Sequence, residues 1–353
     1  MQGIETFNPA PVVLETVLDP VWLSRALSCN GQTIEVKSVD IVDQFGPSAT
    51  KVRMNLGYSP EYPNELPASI CLKGFFGEDA KKYLGSDAQW CETSFYRQCA
   101  KALPLRLPRC LYAGVDEETR AGIILMEDLI TAGARFLTAL DPYSTEQAAS
   151  SLDQLALLHA ATSSENTFSR WPWVTSKLPM LSKLFSPEKL TELLKGEKGQ
   201  GLPDSVRDGK RVWAALQALN DRDRNVNPCF VHGDAHAGNI FETDRGAGLV
   251  DWQLLQRGHW SLDVAYHIAA VLDVRDRENA EQDLLRYYLE RFASHGGIAP
   301  TWDEAWNHYR ESIAYGYFLW GITLRVDPPI IKQFVYRLGS AVAAHDSLGR
   351  LGA

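Results

Sequence analysis

FVHGDAHAGNIFETDRGAGLVDW, residues 230 to 252, decides how the chain reads. Apolar Phe230 and Val231 lead into His232-Gly233-Asp234. Asn239 follows five positions after Asp234, and a second apolar run, Gly248-Leu249-Val250, delivers Asp251. The pattern predicts a strand-turn-strand segment with its polar residues at strand ends. Moving a phosphoryl group needs little covalent help from a protein. It needs a carboxylate to receive and orient the attacking hydroxyl, and oxygen ligands to hold Mg²⁺ on the phosphates. Asp234, Asn239 and Asp251 supply those residue types in the order, and at the Asp-to-Asn separation, of a kinase catalytic loop. The plainer alternative is a hairpin with polar turn residues, since HGD and GN are common turn text.

Upstream of this stretch, the first third predicts strands. Ile34 to Val42 and Thr50 to Tyr58 alternate, with Phe45-Gly46-Pro47-Ser48 as the turn between them. ICLKGFF is a short apolar strand carrying Lys73, where a solvated lysine gains nothing. Ala88 to Ala102 has helical spacing and carries Glu92; RCLYAGVD and AGIILMEDL are two more strands. After Leu129 the texture turns helical: Thr145 to Ala161, Lys183 to Leu194, Ser205 to Leu219, and everything beyond Leu262. The expected organisation is an α+β chain with a small sheet-rich lobe, residues 1–128, and a larger helical lobe, residues 129–353.

HGDAHAGN followed by LVDWQ resembles the aminoglycoside phosphotransferase and choline-kinase-like superfamily of small-molecule kinases. Four polar positions match it in order, Asp263 in GHWSLDVAYHIA being the fourth, and this outweighs the plain hairpin. The resemblance implies a two-lobed, protein-kinase-like fold with an antiparallel-sheet first lobe. It also implies ATP and Mg²⁺ as cofactors and a hydroxyl acceptor. It makes Asp234 the catalytic base, Asn239 and Asp251 the magnesium ligands, and His232 and Asp263 the braces of the loop. Lys73, paired with Glu92, would reach the ATP phosphates. In IILMEDL, the carbonyl of Glu127 and the amide of Leu129 would hold adenine. Ser48 and nearby amides are the candidates for covering the phosphates, although that loop has a single glycine. The resemblance runs over roughly residues 34 to 270 and is strongest at 230 to 263.

The acceptor site in this superfamily is built largely from late helices, which here read WDEAWNHYRESIAYGYFLW. His236, Trp306, Tyr309 and Trp320 are the candidates, with core packing as the plain alternative for the aromatics. GSAVAAHDSLGRLGA carries a single acid, Asp346, whereas a polycationic aminoglycoside needs clustered carboxylates. A small, uncharged or partly apolar alcohol is the expected substrate.

Composition narrows the rest. Of 353 residues, 45% are hydrophobic and 22% charged, which is the balance of a globular chain. A net charge of −9 disfavours nucleic acid and anionic lipid as partners. No stretch approaches the ~18 apolar residues of a membrane helix. The N-terminus lacks a signal-peptide pattern, and the six cysteines form no CxxC pair, so reduced thiols in the cytoplasm are expected. Two rivals remain. A metal-dependent hydrolase would use His232 and His236, but Gly233 and Gly238 make the needed helix poor. A non-catalytic nucleotide-binding pseudokinase should lack a metal or base residue, and Asp234, Asn239, Asp251 and Lys73 are all present.

Overall fold

The computed structural model describes residues 7–28, 33–46, 49–59, 66–77 and 85–353. Ser48 lies outside them. The chain forms two compact units: Met1–Ala102 with Leu107–Ala134, and Leu103–Arg106 with Arg135–Ala353. Among the described residues no helix is long and apolar enough to cross a membrane.

The first unit is built on a five-stranded antiparallel sheet in the order β1-β2-β3-β5-β4. Its strands are β1 (Val36–Phe45), β2 (Thr50–Tyr58), β3 (Ser69–Gly74), β4 (Cys110–Val115) and β5 (Gly122–Glu127). Period-two burial is clear on β2, where Val52, Met54 and Leu56 point into the core with Ile70, Leu72, Ile123 and Leu125. Helix α1 (Pro20–Leu27) covers them with Leu23 and Ala26, its first turn capped by the Asp19 carboxylate. The alternation expected of Ile34 to Val42 does not become alternating burial. β1 is an edge strand, its register shifts between Ile41 and Asp43, and Ile41 and Val42 are both half exposed. β1 also runs on to Phe45, so the turn begins at Gly46, whose φ is +121°. A Cβ there would meet the Ala49 carbonyl oxygen at 2.0 Å, and only glycine fits.

Helix α2 (Gly85–Ser94) widens into a π turn, Phe95–Cys99, and a 3₁₀ turn, Ala100–Ala102. The single helix expected from Ala88 to Ala102 is therefore three helical segments.

The second unit is mainly helical. Helix α3 (Thr145–Thr162) starts on a capping box between Ser144 and Gln147 and buries Ala148, Leu152, Leu155, Ala156 and His159 along one face. Helices α4 (Pro187–Lys195) and α5 (Gly209–Asp223) begin four residues later than expected. Ser186 and Asp208 are their N-caps, and Pro187 takes the first helical position of α4. Helices α6 (Ser261–Val271), α7 (Val274–Ser294), α8 (Trp302–Ile322) and α9 (Pro328–His345) complete the body, with α6 buried along its whole length. Around the deciding stretch, β7 (Cys229–Val231) pairs with β10 (Gln256–Gly258). β8 (Ile240–Thr243) and β9 (Gly246–Leu249) form a hairpin, and β6 (Arg135–Phe136) joins its edge.

Asp128 sits just beyond β5 and ties the end of the sheet together. Its carboxylate accepts from Arg53 Nε on β2 at 3.0 and 3.1 Å, from Ser69 Oγ on β3 at 2.8 Å, and from Thr131 Oγ1 at 2.8 Å. Burial pushes the carboxyl up, but the bonds from Arg53, Thr131 and Ser69 outweigh it and hold it below the usual range. Asp128→Ala should lower stability by about 2–4 kcal/mol in urea unfolding, because Arg53, Ser69 and Thr131 lose their common acceptor. Since the folded state favours the ionised form, the wild-type contribution is full above the unfolded pKa of ~3.9. It should fade as pH falls through the lower folded value, narrowing the gap between wild type and variant.

Candidate active site

β7 ends at Val231 and the chain turns sharply. Gly233 adopts φ +84°, and a Cβ there would meet the Leu254 carbonyl oxygen at 2.3 Å. The turn is held from beneath by α6. Asp263 Oδ2 accepts from the amide of His232 at 2.6 Å and Oδ1 from that of Gly233 at 2.8 Å. His159 on α3 donates Nε2–H to Oδ2 at 3.1 Å, and its Nδ1 accepts from Tyr288 Oη at 2.8 Å. Asp263 is fully buried, so these donors replace water.

The same helix face continues along the loop. Tyr266, three residues on, donates to Asp234 Oδ1 at 2.9 Å, and His267, four on, donates Nδ1–H to the Ala235 carbonyl at 2.8 Å. His267 Nε2 is then an acceptor for Ser151 Oγ, 2.7 Å away. Burial brings His267 down to about 4, so this neutral tautomer persists at neutral pH. Residues 263, 266 and 267 therefore grip residues 232 to 235 in order.

His232 joins the two loops that carry the acids. Its Nδ1 accepts from the Asp234 amide at 3.2 Å and its Nε2–H donates to the Val250 carbonyl at 2.9 Å. Burial lowers its pKa, and with both ring nitrogens committed it is not placed as a metal ligand. Val250 N–H in turn donates to the Asn239 carbonyl, and Leu249 N–H to that of Arg106. Asp251 follows with φ +65°, a left-handed conformation that a non-glycine residue adopts at a cost.

Asn239 closes the constellation. Its Nδ2 donates to the Asp234 backbone carbonyl at 2.9 Å and to Asp234 Oδ2 at 3.0 Å, so its Oδ1 is the side-chain atom left to meet a cation. Asn239 and Asp251 thus offer hard oxygen donors. That chemistry fits Mg²⁺, which takes one or two protein ligands and completes its shell with phosphate and water. Among the described residues no group of three or more His, Cys, Asp or Glu gathers around a metal position.

The Asp234 side chain is 30% exposed. Burial and nearby Asp251 push its carboxyl up, whereas His236, 3.6 Å away, and Tyr266 pull it down. The net result lies below the usual carboxylate range. His236 Nδ1 accepts from the Gly238 amide, leaving Nε2 toward Asp234. Its ring packs on Trp320 and Phe334, which stack at 4.1 Å between centroids. The structure brings Trp320 and His236 to Asp234, but not Trp306 and Tyr309. Those two lie on α8 about 21 and 16 Å before Trp320, at ~1.5 Å per residue. Trp306 is sandwiched between Trp302 and Tyr309, and the Tyr309 hydroxyl donates to buried Glu281.

In the first unit, Lys73 and Glu92 form a buried ion pair, Nζ to Oε2 2.6 Å, joining interior strand β3 to α2. Glu127 and Leu129 flank Asp128, so the Arg53–Asp128 cluster fixes the backbone they belong to.

Asp128, His159, Tyr266, His267 and Tyr315, which donates to the Gly233 carbonyl, are absent from the sequence-based assignment. The i, i+3, i+4 spacing of Asp263, Tyr266 and His267 was the available signal for two of them. Asp263→Asn should destabilise the protein by about 3 kcal/mol or more in denaturant unfolding, since an amide NH₂ would face the donors that the carboxylate accepts.

No curated protein matches the sequence. Solved structures do share its fold. A provisionally named aminoglycoside phosphotransferase from Ralstonia eutropha JMP134 superposes with TM-score 0.50 at 14% identity, over 94% of this chain and 97% of that one. Choline kinase from Cryptosporidium parvum Iowa II gives TM-score 0.50 at 13% identity, over 90% and 89%. The small antiparallel sheet and larger helical part are thus those of the protein-kinase-like phosphotransferases. Residues 90–305, more than half of the 353, match the family model for the phosphotransferase enzyme family, and the chain belongs to that family.

Proposed function

We propose that the protein is an ATP- and magnesium-dependent kinase that transfers the γ-phosphoryl group to a hydroxyl of a small, uncharged or partly apolar molecule. The observation that carries this reading is the pair of bonds from Asn239 Nδ2 to Asp234, which locks a carboxylate beside an amide oxygen at the spacing phosphoryl transfer uses. The first unit supplies the nucleotide contacts: Lys73, held by Glu92, for the phosphates, and the backbone of Glu127 and Leu129 for adenine. The second unit supplies catalysis and the acceptor site. Asn239 Oδ1 and the Asp251 carboxylate would hold Mg²⁺, which would supply charge neutralisation on the phosphate oxygens.

Asp234 accepts the hydrogen bond of the acceptor hydroxyl and aims its oxygen at the γ-phosphorus; the proton passes to the carboxylate as the new bond to phosphorus forms, and the bond from the γ-phosphorus to the β,γ-bridging oxygen breaks to release ADP. A carboxylate with a lowered pKa is a weak base. In a loose transition state the hydroxyl loses its proton late, so orientation matters more than basicity. The rings packed on His236 beside Asp234, those of Tyr266, Trp320 and Phe334, are buried and uncharged, so this side of the site adds no carboxylate for an aminoglycoside polycation.

Thermal unfolding with and without Mg-ATP is the direct test. A nucleotide at ~100 times its Kd adds about 2.7 kcal/mol, a rise of a few degrees in Tm. Asp251→Ala should abolish the magnesium-dependent part. No rise in wild type at millimolar Mg-ATP would refute the nucleotide site. Once an acceptor is found by screening neutral alcohols for a phosphorylated product, Asp234→Asn should lower kcat by at least ~100-fold with KM for ATP within a few-fold. Near-normal turnover in that variant would remove Asp234 from its role.

A further inference from the structure

Asp234 is a short side chain at the tip of a turn, and from its own loop its carboxylate receives the bond of Asn239 Nδ2, which also bonds the Asp234 backbone carbonyl. The bond from elsewhere in the unit is that of Tyr266. Tyr266 Oη donates to Asp234 Oδ1 at 2.9 Å and receives Trp320 Nε1–H at 2.6 Å. An indole N–H can only donate and a carboxylate can only accept, so the direction of the chain is fixed: Trp320 to Tyr266 to Asp234. Each link strengthens the next, because a hydroxyl that accepts a bond becomes a better donor.

The surroundings are built for this ring. Tyr266 is fully buried on α6 and Trp320 nearly so on α8. The two helices approach closely at Gly316, where a Cβ would meet Tyr266 Cδ2 at 2.4 Å and Cγ at 2.8 Å, ring atoms that cannot swing away. Phe334 from α9 stacks on Trp320 and holds the indole plane. A phenylalanine at 266 would satisfy the apolar packing equally well. The hydroxyl therefore has a task other than filling space.

We infer that Tyr266 is the positioning residue of the Asp234 carboxylate, and that Trp320 acts through it. This rests on the reading of Asp234 as the group that orients the acceptor hydroxyl. With Oδ1 held by Tyr266 and Oδ2 by Asn239, rotation about the bond from Cβ to the carboxylate is blocked. The lone pairs not used by these donors then face one direction. Without Tyr266, Asn239 and His236 hold only Oδ2, and the group can turn about that side.

The consequence is a split in the kinetic constants. Tyr266→Phe keeps the ring, the packing and the nucleotide contacts, so KM for ATP should change less than twofold while kcat falls about tenfold. Trp320→Phe should lower kcat in the same direction by a smaller factor. In an Asp234→Asn background, Tyr266→Phe should have no further effect, because there is no carboxylate left to orient. A Tyr266→Phe enzyme with wild-type kcat, or the same tenfold loss on top of Asp234→Asn, would overturn the inference.

A second measurement reads the chain without turnover. In nitrogen-15 spectra the indole N–H of Trp320, assigned by its loss in Trp320→Phe, should move upfield in Tyr266→Phe, where its acceptor is gone. It should also shift in Asp234→Ala, and that second shift should vanish when Tyr266→Phe is already present. An indole signal indifferent to Asp234 would refute the relay. If wild type transfers no phosphoryl group to any acceptor while the indole signal responds to Asp234 through Tyr266, the reading of the activity fails and the relay stands.

Discussion

The bonds from the amides of His232 and Gly233 to the buried carboxylate of Asp263 set the position of the loop that carries Asp234. A sharp turn leaves backbone donors pointing inward, where an unpaired amide costs roughly 1–3 kcal/mol. Asp263 satisfies two of them at once, and His159 and Tyr288 extend the arrangement to α3 and α7. The turn is then anchored to the most deeply buried helix of the unit. Tyr266 and His267 follow on the same face, so one helix fixes four consecutive loop residues. A shift of α6 by even a fraction of an ångström would be transmitted to Asp234.

The sequence was legible where one residue type has one use. Asp234, Asn239 and Asp251 stood out because phosphate chemistry would need oxygen donors at such intervals, and Asn239 does bond Asp234. The Lys73–Glu92 pair was readable because a lysine in an apolar strand needs a partner, and the two do meet. In the first unit, β2 followed from its alternation and β3 and β5 from apolar runs. β1 was harder: an edge strand has no second neighbour, and its bulge puts apolar Ile41 and Val42 in solvent despite the alternating text. The starts of α4 and α5 were missed because Ser186 and Asp208 look like any polar residues until their side chains are seen to accept amides.

The aromatic text of α8 shows the same limit in the site. Trp306, Tyr309 and Trp320 share a composition but not a position. A helix of 21 residues spans about 30 Å, so its two ends serve different neighbourhoods. The first half stacks Trp302, Trp306 and Tyr309 and ends in a hydrogen bond to Glu281. The second half sends Tyr315 to the Gly233 carbonyl and Trp320 to Tyr266. Nothing in the order of letters separates these tasks; the partner that meets each aromatic does.

Asp251 poses the opposite problem, a residue held where it does not prefer to be. Its left-handed backbone costs on the order of 1–2 kcal/mol and would relax if the chain were free. The residues just before it cannot relax: Val250 is bonded through its amide to Asn239 and through its carbonyl to His232, and Leu249 is bonded to Arg106. Three bonds on two residues exceed the strain on the third. Two of them start from the loop that carries Asp234 and Asn239, so the strained acid is fixed relative to the other two before any ligand arrives. That is the arrangement expected of a site whose work is orientation. The protein meets the cost during folding, once, and under the proposed function a reacting pair of substrates would find the three groups already in place.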